Sequence, residues 1–172
     1  MKNTILFAAL LISTMALFAQ SEPKEPPYKR FPTVPPFRLL MQDSTTVFTK
    51  DDLKKNKKTL IFLFSPDCHH CQHEAGQLVQ HKEYFKDVQI IMSGTAPLYQ
   101  LQNFYDTYQL SQLDNLVMGK DYQYILPSFF MMKNFPFMAL YNKKKELITA
   151  FEGSYPITQI IRAFDQSVGR IF

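Results

Sequence analysis

Two cysteines stand three positions apart in Cys68-His69-His70-Cys71, and they are the only cysteines in 172 residues. Two intervening residues let a single helical turn bring both sulfurs to disulfide distance while the first stays exposed. Such a pair can alternate between dithiol and disulfide. The chemistry is exchange: the Cys68 thiolate attacks a client disulfide, and Cys71 then attacks the mixed disulfide and releases the client. Both electrons move between sulfurs, so no organic cofactor and no metal is required.

For Cys68 to attack, it must be available as a thiolate. Unpaired N–H groups and the dipole at a helix N-terminus stabilise that form, and protonated His69 or His70 beside it would add to the effect. A purely structural disulfide is the bland reading of the same residues. It explains little, because so short a loop constrains the unfolded chain only slightly.

A metal site is the competing class. Cys68, His69, His70, Cys71 and His73 put five soft or borderline donors within six residues, a set that would suit Zn or Cu(I) in a metal-binding protein or metallochaperone. On a helix His70 and His73 share a face, but His69 points elsewhere, and no distant Cys-x-x-Cys or His-x-x-x-His closes the site. His81 lies eight residues beyond His73 and is assigned no role. A third class, a non-catalytic binding module, would use the aromatic-rich stretches 99–108 and 122–137, although aromatic stripes at helical spacing are more often core than pocket.

The elements around the motif are those that a redox helix needs. The apolar run 59–64 has the length of a strand buried on both faces and leads straight into Ser65-Pro66-Asp67-Cys68. From Cys68 to about Tyr84 the chain lacks Pro and places Cys71, Ala75, Leu78 and Val79 at helical spacing, so the motif opens a helix. Before this, 37–41 reads as a short strand, 43–46 as a turn, and Thr49 as the cap of a short helix. After it, 88–93 reads as a second buried strand, 97–108 as a helix and 113–118 as a third strand. Residues 137–141 and 147–151 form an antiparallel hairpin signal around a turn at 142–145, and Pro156 opens a final helix to about Val168. Alternation of this kind implies an α/β domain with a central mixed sheet flanked by helices.

At the amino terminus, Lys2 is followed by an apolar run over 4–18 that ends on the small residue Ala19. This is the layout of a secretory signal peptide over 1–19, and its fifteen or so apolar residues fall short of the ~20 that span a bilayer. Residues 20–36 hold six Pro and read as an extended lead-in outside the core, so the folded domain is placed at 37–172. The mature chain is expected to be soluble and periplasmic or secreted, where a disulfide can form and persist. Loss of Lys2 leaves 18 basic against 15 acidic residues, too small an excess to argue for nucleic acid. The clusters Lys54-Lys55-Asn56-Lys57-Lys58 and Lys143-Lys144-Lys145 read as solvated turns.

Over roughly 37–172 the chain resembles the thioredoxin-like superfamily, and most closely its exported TlpA-type and redoxin-like reductases. The likeness rests on the apolar strand ending in Phe64 before C-x-x-C, on Glu74 three residues after the second Cys, and on Pro136 in Asn134-Phe135-Pro136-Phe137 before the hairpin. The resemblance implies a thioredoxin-like fold and a cis bond at Pro136, with Pro127 as the alternative. It implies that Phe135 pairs its backbone with the client chain, and that the partners are exported proteins with thiols or disulfides together with a membrane or periplasmic redox partner. Three departures stand out. Pro66-Asp67 replaces the usual Trp-led approach to the first Cys; Phe62 occupies the place of the carboxylate that serves the second Cys in thioredoxins, so that either Glu74 or a His substitutes as proton acceptor or deprotonation of the second Cys is slow; and His70 before the second Cys is similar to oxidising members. The peroxidatic pattern Pro-x-x-x-Thr-x-x-Cys is absent, since its positions are Ile61 and Ser65.

Overall fold

The computed structural model describes residues 25–166; the leader expected over 1–19 lies outside the described residues. Seven strands form one mixed sheet: β1 Arg38–Leu40, β2 Val47–Thr49, β3 Lys58–Leu63, β4 Val88–Gly94, β5 Leu116–Lys120, β6 Phe137–Tyr141 and β7 Leu147–Glu152, in the spatial order β2-β1-β5-β4-β3-β6-β7. Among the described residues five α-helices accompany them: α1 Pro27–Arg30, α2 His69–Gln80, α3 Leu98–Thr107, α4 Ile125–Phe130 and α5 Ile157–Gln166. This is the α/β mixed sheet that the alternation of elements implied and the thioredoxin-like fold that the resemblance implied. Among the described residues, no helix is long and apolar enough to cross a membrane.

The three central strands β3, β4 and β5 run parallel, so their carboxyl ends share one edge. Their side chains alternate between two apolar layers, as the pleat dictates. Leu60 and Phe62 of β3 join Ile90, Met92, Met138 and Leu140 beneath α2, α3 and α5, while Ile61 and Leu63 join Ile91, Phe137, Ala139 and Tyr141 beneath α1 and α4. All of these side chains are essentially solvent-free, and full burial of each aliphatic one contributes roughly 1.5–3 kcal/mol. The platform under the motif is therefore rigid. At the other side of the sheet Gly119 lets β1 lie close to β5, since a Cβ there would stand 2.9 Å from Leu39 Cβ.

Several expectations need correction. The Pro-rich lead-in is not outside the core: Val34 is buried, and Tyr28 on α1 sets its ring 5.7 Å from Phe130 and 6.0 Å from Phe137. The prolines remove donors, yet the remaining groups pair with the β6–β7 turn, through Val34 N–H to the Lys145 carbonyl (3.1 Å) and Leu147 N–H to the Pro32 carbonyl (2.7 Å). The third strand starts at Leu116, not Leu113, because Leu110–Gln112 form a 3₁₀ turn and the side chain of Asn115 donates to the Phe85 carbonyl at 2.6 Å. The redox helix stops at Gln80, with a separate 3₁₀ turn over Lys82–Phe85.

Strand β2 and helix α4 were not anticipated. Helix α4 has the sequence ILPSFF, poor in helix formers. It forms because the buried Asp121 carboxylate accepts from the N–H groups of Ile125 (3.2 Å) and Leu126 (2.8 Å). Pro127 follows in the first turn, where its missing donor costs nothing.

Candidate active site

Strand β3 delivers the chain to the shared carboxyl edge, and a tight turn then reverses it into α2. The turn is held by Phe64 N–H on the Ser93 carbonyl, Cys68 N–H on the Ser65 carbonyl, both at 3.1 Å, and the Gln72 side chain donating to the Pro66 carbonyl at 2.9 Å. Cys68 is the N-cap of α2, and its sulfur accepts from the N–H of Cys71 at 3.4 Å. Its own carbonyl receives Gln72 N–H at 3.0 Å. A sulfur in this position faces otherwise orphaned helix donors, which favour negative charge there.

The two cysteines, both free thiols here, differ sharply in exposure: Cys68 is half-buried, whereas Cys71 is sealed. Cys71, Glu74, Ala75 and Leu78 form the buried face of α2. Burial, and then the hydrogen bond with Cys68, push the Cys71 thiol far above its ordinary range. His69 and His70 are both exposed at the rim, the former with Nδ1 3.2 Å from Gln72 Oε1.

Phe62 is fully buried with its ring 6.1 Å from that of Phe64, in the apolar layer that also holds Cys71. No carboxylate rises from β3, and Glu74 is the buried acid beside Cys71 instead. Its Oε1 accepts from Ser154 Oγ at 2.7 Å and Tyr155 N–H at 3.2 Å, while Oε2 is buried with no partner among the described residues.

The remaining wall comes from the loop before β6. Leu63 of β3 stands opposite Phe137, so Phe135 and Pro136 run beside the chain that leaves β3 for the motif. The Phe135–Pro136 peptide bond is cis, and Pro127 instead lies within α4. Pro136 is buried and Phe135 half-buried between the two apolar layers. The N–H and carbonyl of Phe135 take no partner from the described chain.

The donors of the metal alternative do not converge. His70 and His73 are exposed, His81 turns its Nδ1 to the Gln77 carbonyl at 3.0 Å, and among the described residues no three His, Cys, Asp or Glu side chains form a metal-holding group. Of the aromatic stretches, Phe104, Phe130 and Phe137 go to the core, while Tyr99, Tyr122 and Tyr124 stand exposed. A groove of about 1090 Å³ lined by Lys58, Lys143, Phe151 and Arg162 opens toward the start of β3, away from the cysteines.

Residues 32–163, most of the chain, match the AhpC/TSA family. The chain belongs to the AhpC/TSA family. No curated protein sequence matches it. Among solved structures, this family member is similar to a secreted disulfide oxidoreductase of Mycobacterium tuberculosis, with TM-score 0.62 and 18% identity over 74% of this chain and 92% of that one. It is similar to StoA of Bacillus subtilis, with TM-score 0.58 and 16% identity over 77% and 98%. It is also similar to peroxiredoxin 6 of Arenicola marina, with TM-score 0.67 and 12% identity over 80% and 73%. At such identities the likeness is one of fold. Family membership makes the protein an oxidoreductase.

Two acids of this AhpC/TSA protein escaped the sequence reading. Asp121 follows β5 and reads as a loop residue, although an Asp just ahead of a helix is a capping signal. Glu152, just before Gly153, looks like a solvated strand end and offers no local signal at all.

Burial of Cys71 has a measurable consequence. An unfolded thiol releases its proton from about pH 8.5, whereas the folded reduced protein keeps it. Above that pH the folded state therefore binds more protons, and stability is lost as pH rises by up to ~1.4 kcal/mol per unit. Below it the contribution is fully present. Urea unfolding of the reduced protein between pH 7.5 and 10 should show this decline, and Cys71→Ala should flatten it. Equal slopes in the two proteins would contradict the buried thiol.

Proposed function

We propose that the protein exchanges disulfides with exported client proteins through Cys68-His69-His70-Cys71. The observation that carries the reading is the pairing of a half-exposed Cys68 at a helix N-terminus with a sealed Cys71, beside a Phe135 backbone that has no partner among the described residues.

Cys68 attacks the client disulfide, and the departing client sulfur leaves as thiolate. The client chain lies along Phe135 and Pro136, where its backbone can pair with the free N–H and carbonyl of Phe135, as in strand addition to an open edge. Cys71 then loses its proton and attacks Cys68 in the mixed disulfide, forming the Cys68–Cys71 bond and expelling the second client thiolate. Glu74 takes that proton; its place on the buried face shared with Cys71 and its unpartnered Oε2 support the role. His69 and His70 tune the Cys68 thiolate from the rim through a field that solvent and salt weaken. A membrane or periplasmic redox partner resets the pair. Cleavage after Ala19 places the mature protein in the periplasm or outside the cell.

Incubation of the reduced protein from residue 20 onward with a disulfide-bonded peptide tests this. One equivalent of peptide dithiol should appear for each Cys68–Cys71 disulfide, by alkylation and intact mass. A peptide that stays oxidised while Cys68 stays free overturns the reading.

A further inference from the structure

Glu152 ends β7 opposite Phe137, and its carboxylate reaches back to the loop that precedes the cis proline. One oxygen, Oε1, accepts from the backbone N–H groups of both Lys133 and Asn134, the latter at 2.7 Å. The following residue completes the attachment, with Gly153 N–H donating to the Pro136 carbonyl at 2.8 Å. These bonds hold the chain two residues before Phe135, one residue before it and one residue after it. Phe135 is the single residue of the segment left with its N–H and carbonyl open.

Bonds from N–H groups to a carboxylate are roughly twice as strong as neutral ones. The Glu152 carboxylate is exposed and makes no ion pair among the described residues, so the two loop amides are its partners. Nothing else in the described chain accepts from these two amides. The segment from Glu152 onward also reaches the redox helix, since Ser154 and Tyr155 donate to Glu74. Residues 152–155 thus tie the loop bearing Phe135 to the helix bearing Cys71.

We infer that Glu152 is a positioning residue that fixes the open Phe135 backbone in register with Cys68, so that a client polypeptide is held with its disulfide at the attacking sulfur. The inference rests on the proposed exchange function. It separates two classes of substrate: a polypeptide disulfide needs the Phe135 edge, whereas a small disulfide without a peptide backbone needs only Cys68.

The test compares wild type, Glu152→Ala and Glu152→Gln with a disulfide-bonded peptide and with bis(2-hydroxyethyl) disulfide. Glu152→Ala should lower kcat/KM for the peptide about tenfold, chiefly through KM, while the rate with the small disulfide stays within about twofold, because misplacement of a positioning group penalises only the substrate it positions. Glu152→Gln, whose side-chain carbonyl can still accept both N–H groups, should recover most of the loss. If Glu152→Ala does not fold, Glu152→Asp carries the same comparison, its carboxylate being one methylene too short. Unchanged peptide kinetics, or equal losses with both substrates, would overturn the inference. A wild-type protein that reacts with neither disulfide would instead overturn the exchange function on which it rests.

Discussion

In Cys71→Ser the client should remain covalently attached to Cys68, giving a mixed disulfide that approaches one per protein and a turnover reduced to background. The asymmetry of the two sulfurs dictates the outcome. Cys68 is reachable from solvent and lies at the α2 N-terminus, so the first attack survives the substitution. Only Cys71 is placed to resolve the intermediate from within, and a serine hydroxyl is far too poor a nucleophile to replace it. Cys68→Ser should show no attachment at all, because the remaining thiol is sealed and held protonated by its burial. Intact mass after acid quench reads both variants. Equal attachment in the two, or continued turnover in Cys71→Ser, would contradict the assignment of attacker and resolver.

Glu74→Gln should slow resolution of the mixed disulfide by about 10²-fold, the lower end of what a positioned proton acceptor supplies. Gln keeps an acceptor for Ser154 and Tyr155, so the β7–α5 loop stays tethered and the first attack by Cys68 is unaffected. The loss should shrink as pH rises and hydroxide replaces the missing acceptor. Rapid-quench measurement of the attack and resolution steps separates them. A variant slowed equally in both, or with resolution unchanged, would remove Glu74 from the chemistry and leave it a structural tether.

What the sequence made legible follows from how locally each feature is encoded. The redox pair, the buried strands near 59–64 and 88–93 and the hairpin before the last helix all announce themselves by spacing and apolar periodicity. The family resemblance pointed to Pro136, and the Phe135–Pro136 bond is cis. The lead-in was misread because its prolines mask two apolar side chains, Tyr28 and Val34, whose packing depends on partners a hundred residues away. Helix α4 was hidden by its composition and exists through the Asp121 cap. Glu74 was found from its position after the motif, yet its tie to Ser154 and Tyr155 across 80 residues could not be. Glu152 shows the same limit, since its partners lie 18 and 19 residues back across a strand pair.

The account stands on Cys68 and Cys71 forming one reversible two-electron couple. Equilibration of the metal-free protein in glutathione buffers, scored by thiol alkylation and intact mass, measures this directly. A single transition should convert both thiols together into the Cys68–Cys71 disulfide, with a potential between roughly −270 and −120 mV, the span from thioredoxin to strongly oxidising relatives of the fold. Two thiols that remain alkylatable at every poise would contradict it.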